Sequence, residues 1–268
     1  MNMKESGFTG FQLKIIGLIL MIFDHIYEMF AFTNNIPLPF KWVGRIVAPI
    51  FIFMAVEGFV HTKNRKKYAG RLYIGGVLMN LGNLLIQKYF QRTDSFGLMN
   101  NIFATLFMIV IYLSIVEYLG KAMKEKNTLR IFKGIILFIL PIVIGTIILM
   151  NIEIPGMRYV FFVIPTPILV EGGPVFILLG IIMYLFRDKK KVLIIIYSIL
   201  SIVIMLTGGD TSIHGFLFSN YQWMMIFAVP LLYLYNGKKG RGMKYLFYVF
   251  YPAHIYIFYI ISVYIMKK

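Results

Sequence analysis

Apolar residues run through this chain in blocks of about 20, separated by short polar connections. Crossing a hydrocarbon layer of ~30 Å takes about 20 helical residues, so each block predicts a membrane-spanning helix. Nine are expected, over approximately 12–32, 41–62, 69–90, 98–119, 131–150, 167–186, 191–207, 221–236 and 244–266. The sixth is broken by Pro165, Pro167 and the run Glu171-Gly172-Gly173-Pro174, because proline removes a helix hydrogen bond and clashes with the preceding turn. The connections are too short to hold a soluble nucleotide-binding domain. The expectation is one all-α polytopic bundle spanning residues 1–268, with any small molecule bound among the helices or at their mouths.

Composition supports that picture. The chain is 59% hydrophobic and 14% charged, where a soluble domain carries about 25% charged residues. A formal charge of +16 raises the question of nucleic acid. The basic residues, however, fall in runs between apolar blocks: Lys63 to Arg71, Lys121 to Lys133, Arg187 to Lys191 and Lys238 to Lys244, with Lys4 and Lys14. That is the positive-inside pattern, and the expected partner is the bilayer rather than nucleic acid. It places the N-terminus in the cytoplasm and the C-terminus outside a multi-pass cell-membrane protein. Lys41, Lys88, Arg92, Arg158, Lys267 and Lys268 fall on the far side. With no cysteine there is no thiol nucleophile, disulfide or thiolate metal site. The four histidines lack helical zinc spacing, so no metal is expected. The first block contains Asp24-His25 and no small-x-small cleavage site, so it is expected to remain as a helix.

Charges inside these blocks mark the candidate chemistry. Asp24, His25 and Glu28 lie in the first, and Arg45, Glu57 and His61 in the second. A charge at mid-bilayer costs roughly 2.5–3.5 kcal/mol on insertion scales, so such residues face a cavity or each other. At a rise of about 1.5 Å per residue, Asp24, His25, Asn80, Asn83 and His254 fall near the midplane. Arg45 enters from outside at the depth of Glu28, within reach of His25 or Asp24. Glu57 and His61, at i,i+4, sit on one face at the cytoplasmic end. They open onto Lys63, Asn64, Arg65, Lys66 and Arg71. Structural roles compete at each position. Asn80 and Asn83 can join helices, Pro252 beside Tyr251 and His254 can kink its helix, and Glu117 and Lys88 can snorkel. Asp210 and His214 fall in an outer loop.

The blocks LKIIGLILMIFDH, GRIVAPIF, EGFVHTKNRKKY with Arg71, YNGKKG and FYVFYPAH occur in the order of the TraX family, which this chain resembles from about residue 11 to 260. The likeness is dense in about the first 75 residues and the last 30; between 90 and 220 it is generic apolar sequence. That family is named for the enzyme that N-acetylates a conjugative pilin, and it implies kinship with transmembrane acyltransferases. The resemblance implies acetyl transfer from cytoplasmic acetyl-CoA to an extracytoplasmic acceptor, a peptide N-terminal amine or a glycan. On it, His25 becomes a general base or acetyl acceptor. Asp24 becomes its electrostatic support, and Arg45 or an Asn amide the oxyanion stabiliser; His254 competes for the catalytic role. Adjacent residues point about 100° apart on a helix, so Asp24 is expected to pair with Arg45 or His254 rather than His25. Lys63, Arg65, Lys66, Arg71, Lys238, Lys239 and Arg241 would hold the CoA phosphates. Glu28, Glu57, His61, Asn64, Asn80, Asn83 and Tyr251 would line the path. A different reading makes Asp24, His25, Arg45 and His254 the relay of a proton-coupled transporter or flippase. Its usual sign, paired broken helices in two halves, is missing. An assembly factor without catalysis is a third.

Overall fold

A computed structural model describes residues 7–94, 96–242 and 244–267. Lys4 and Lys268, part of the charge asymmetry, lie outside the described residues, as do the side chains of Arg158 and Lys244. The regular structure of the described residues is helical, with an isolated bridge between Phe8 and Tyr235. In order the helices are α1 (Gly10–Phe30), α2 (Pro39–Gly44), α3 (Val47–His61), α4 (Arg65–Tyr89), α5 (Ile102–Lys124) and α6 (Thr128–Met150). They continue as α7 (Met157–Val163), α8 (Gly173–Leu185), α9 (Lys190–Thr207), α10 (Val229–Tyr233) and α11 (Lys244–Met266).

Six helical stretches among the described residues are long and apolar enough to cross a membrane: Gly10–Thr33, Pro39–His61, Ile102–Lys124, Thr128–Met150, Lys190–Thr207 and Tyr245–Met266. The other three expected spans differ for local reasons. α4 is 25 residues long, but Asn80, Asn83, Gln87 and several glycines dilute its apolar content. α8 has 13 residues because the chain turns sharply before it. There Gly172 has φ +73°, and a Cβ at that position would overlap the Phe176 ring, so only glycine fits. Residues 221–236 form a 3-10 stretch, Gln222–Ala228, running into the short α10 at Val229 and Pro230.

The expected second span is one apolar stretch but two helices. α2 ends at Gly44 and α3 begins at Val47. Pro49 explains the break: it has no N–H to give the carbonyl four residues back, on Arg45, and its ring crowds that carbonyl.

Two compact units form. The first comprises Met1–Met54, Ile86–Leu98 and Phe186–Lys268. In it α1 packs against α2 and α11. Thr9 and Gln12 make a capping box at the α1 N-terminus. The carbonyls of Lys238 and Lys239 accept the N–H groups of Gly10 and Phe11 at 2.8 and 3.0 Å, satisfying donors that a helix start otherwise leaves open. At the other end of α1, the Arg92 side chain, 2% exposed, donates to the Met29 carbonyl (2.8 Å) and Ser262 Oγ (2.7 Å). Asp94 accepts from its Nη2 and Nε at 2.6 and 3.0 Å.

The second unit comprises Ala55–Leu85 and Met99–Leu185. Here α5 packs on α6 and α8. Gly76 lets α4 approach the α5 backbone: a Cβ there would lie 3.2 Å from the Ala104 nitrogen. Tyr112 donates its hydroxyl to the Phe138 carbonyl at 2.9 Å. Arg65 pairs with Glu117 and lies over the Phe59 ring.

Candidate functional site

The first unit gathers the DH, GRI and YP-x-H residues into two adjacent polar groups. One is a histidine pair. His25, 5% exposed on α1, places Nδ1 2.7 Å from Nε2 of His254, 6% exposed on α11. The rings stack at 4.9 Å with 30° between their planes. On its far side His254 Nδ1 donates to the Phe250 carbonyl at 2.7 Å. Glu28, one turn after His25, brings Oε2 to 3.7 Å from His25 Nε2. Tyr251 is buried edge-on to both imidazoles, 6.3 Å from His25 and 6.0 Å from His254 between ring centroids.

The other group is centred on Asp24. Arg45 Nη2 donates to both of its carboxylate oxygens, at 2.9 and 3.0 Å. Lys41 Nζ stands 3.7 Å from Oδ1. Arg45 also donates to Gln222 Oε1 (3.1 Å) and the Lys41 carbonyl (3.3 Å), and its guanidinium faces Tyr221. The break before α3 matters here, since Arg45 is the residue that follows α2. Two cations meet one half-buried carboxylate, leaving the group net positive.

Asp24 therefore belongs with Arg45 and Lys41, and His25 with His254 and Glu28. Depth alone set Arg45 level with Glu28; the structure pairs it with Asp24, the partner its long side chain reaches. The four residues of the conceived relay divide between two groups.

Asn80 and Asn83 lie in the second unit, where their amides bind backbone. Asn80 donates to the Phe162 carbonyl at 2.8 Å and Asn83 to the Asn100 carbonyl at 3.2 Å. Asn101 donates to Asn80 Oδ1 (2.6 Å) and the Gly76 carbonyl (2.9 Å), while accepting the Ala104 N–H as the α5 cap. These bonds join α4 to the start of α5 and to α7. Also in this unit, Glu57 and His61 form the expected i,i+4 pair at 3.8 Å, with the His61 side chain 69% exposed. Asn64 caps α4, its Oδ1 accepting the Lys67 N–H at 2.8 Å. Lys63, Lys66 and Arg71 are exposed, and Arg65 is held by Glu117.

Lys238, Lys239 and Arg241 are exposed in the first unit. There the main chain of the YNGKKG block holds α1, and its side chains remain available for an anion. Sequence reasoning missed Gln222, Lys41 and Arg92 as partners. Lys41 had a signal, its i,i+4 spacing to Arg45; Gln222 and Arg92 had none, being polar residues at block edges. Among the described residues no group of three His, Asp or Glu side chains is placed to hold a metal ion.

Residues 9–262 match the family described as TraX protein. Among characterised relatives, the chain is 25% identical over 264 residues to a probable fimbrial assembly protein FimC, serogroup H1, of Dichelobacter nodosus, covering 94% of this chain and 95% of that one. No solved structure matches the chain.

Proposed function

This chain belongs to the TraX family, and from that premise we propose that it is a multi-pass acetyltransferase of the cell membrane. It takes acetyl groups from cytoplasmic acetyl-CoA and transfers them to an amine or hydroxyl presented from outside. Its N-terminus is cytoplasmic and its C-terminus external, as the basic connections indicate. The relative's name, a fimbrial assembly protein, favours a peptide N-terminus as acceptor over a glycan.

The observation that carries this reading is the buried pair of His25 and His254 at 2.7 Å, with Glu28 beside the free edge of His25. A base fixed in a water-poor site, next to a carboxylate, is what acyl transfer from a thioester requires. CoA supplies an activated acetyl carbonyl and a thiolate leaving group. His25 Nε2 takes the proton from the acceptor nitrogen as its bond to the carbonyl carbon forms. When the carbon–sulfur bond breaks, the same nitrogen returns the proton to sulfur. Glu28 accepts a hydrogen bond from the neutral acceptor amine before attack and stabilises the imidazolium after it. The net positive Asp24–Arg45–Lys41 group, one residue along α1, favours the negative charge that builds on the carbonyl oxygen. The exposed Lys238, Lys239 and Arg241 suit the CoA phosphates.

The test is acetyl-CoA turnover by the purified protein in nanodiscs, followed as free thiol, with His25→Ala as the control. Thiol release abolished by that change supports the reading. Neither CoA binding nor thiol release from the wild type would sink it.

A further inference from the structure

We infer that His254 is a positioning residue: it locks His25 in the tautomer with its proton on Nδ1, leaving the Nε2 lone pair bare beside Glu28. The inference deepens the transferase reading and rests on His25 being its base.

The argument starts from a backbone carbonyl. The Phe250 oxygen can only accept, so His254 Nδ1, 2.7 Å away, carries a hydrogen. Helical side chains lean back toward the N-terminus, which brings residue 254 over the carbonyl four residues earlier. A neutral imidazole has one N–H, so His254 Nε2 is then an acceptor. The 2.7 Å contact to His25 Nδ1 needs one hydrogen between the two nitrogens, and only His25 can supply it. Its other nitrogen, Nε2, then holds a lone pair, 3.7 Å from Glu28 Oε2. For the neutral pair, no other arrangement of protons satisfies both bonds.

The ring of His254 is itself fixed. Phe250 stacks on it at 4.8 Å and Phe258 meets it edge-on at 5.9 Å. His254 thus does for His25 what a buried carboxylate does for the histidine of a serine hydrolase: it selects the tautomer and the ring angle. It does so without adding a charge, and it acts through His25.

His25 Nε2 then presents its lone pair 3.7 Å from Glu28 Oε2, where a proton-bearing acceptor can donate to it.

The experiment uses the full chain, labelled with 15N-histidine in nanodiscs at alkaline pH, and reads which nitrogen of His25 is protonated. His25→Gln assigns its signals by their loss. The wild type is expected to show Nδ1–H. His254→Glu, whose carboxylate can only accept, should keep that tautomer, and His254→Phe should release it to a mixture. Turnover should fall about 10²-fold or more in kcat for His254→Phe, with KM for acetyl-CoA unchanged and partial recovery in His254→Glu. A wild-type proton on Nε2, or an unaltered Nδ1–H signal in His254→Phe, overturns the inference. If the phenylalanine variant does not fold, the wild type and His254→Glu decide alone. The spectra need no acyl donor, so the expected tautomer without any acetyl transfer would remove the transferase reading and leave the lock standing.

Discussion

Gly44 lies directly against the carboxylate of Asp24, so close that a Cβ on residue 44 would overlap Asp24 Cγ. The glycine of the GRI block makes room for the aspartate of the DH block. Gly44→Ala should therefore displace Asp24 from Arg45 and cost about 1–3 kcal/mol, the usual penalty of overpacking. Thermal unfolding in nanodiscs would show it, and an unchanged midpoint would mean that the two helices simply part.

Asp24→Asn leaves Arg45 and Lys41 facing a neutral amide. Removing one member of a half-buried pair strands the charge of the other, and the expected loss is about 2 kcal/mol. Arg45→Lys should not restore what Arg45→Ala loses, because only guanidinium reaches both oxygens of Asp24 and Gln222 together. A lysine variant as stable as wild type would contradict this.

Asp94 gives a pH dependence. Hydrogen bonds from Arg92 hold its carboxyl below the ordinary value of 3.8. The unfolded chain thus takes up that proton first as pH falls. The stabilisation is complete above pH 3.8, and it fades as the pH drops through the folded-state value. Asp94→Asn should flatten this part of the acid-unfolding profile and leave neutral-pH turnover intact. Identical acid limbs would place the acid sensitivity elsewhere.

Asn101 caps α5 and joins it to Asn80. Asn101→Ala is expected to lower stability by about 1–2 kcal/mol, as lost caps do, with turnover per folded molecule preserved. A selective loss of kcat would assign this network to the chemistry.

Lys238 and Lys239 allow main chain and side chain to be separated. Their carbonyls cap α1, so charge reversal to Glu should spare the melting temperature while weakening CoA binding. Undiminished affinity would leave these lysines only their role in setting topology.

Much of this was legible in the chain. Asp24, His25 and His254 stood out because lipid tolerates such groups only with partners, and helical rise put His254 level with His25. Reach and the 100° offset of neighbours left Asp24 with Arg45 or His254, and the structure selects Arg45. What could not be read was the division of labour between spans. Asn80 and Asn83 share the expected depth but bond to carbonyls at Phe162 and Asn100, and such partners leave no trace in residue identity. Arg92 looked like a connection residue, yet it is buried between Met29 and Ser262. The break at Arg45 was written in Pro49, within what hydropathy shows as one block.

The contact between His25 and His254 spans 229 positions of sequence, and the carbonyls that cap α1 come from residues 238 and 239. α1 leaves the ribosome well before α11, so the first helix forms with its N-terminal N–H groups uncapped and His25 without its ring partner. A chain stopped short of α11 would carry His25 and still lack the contact that fixes it.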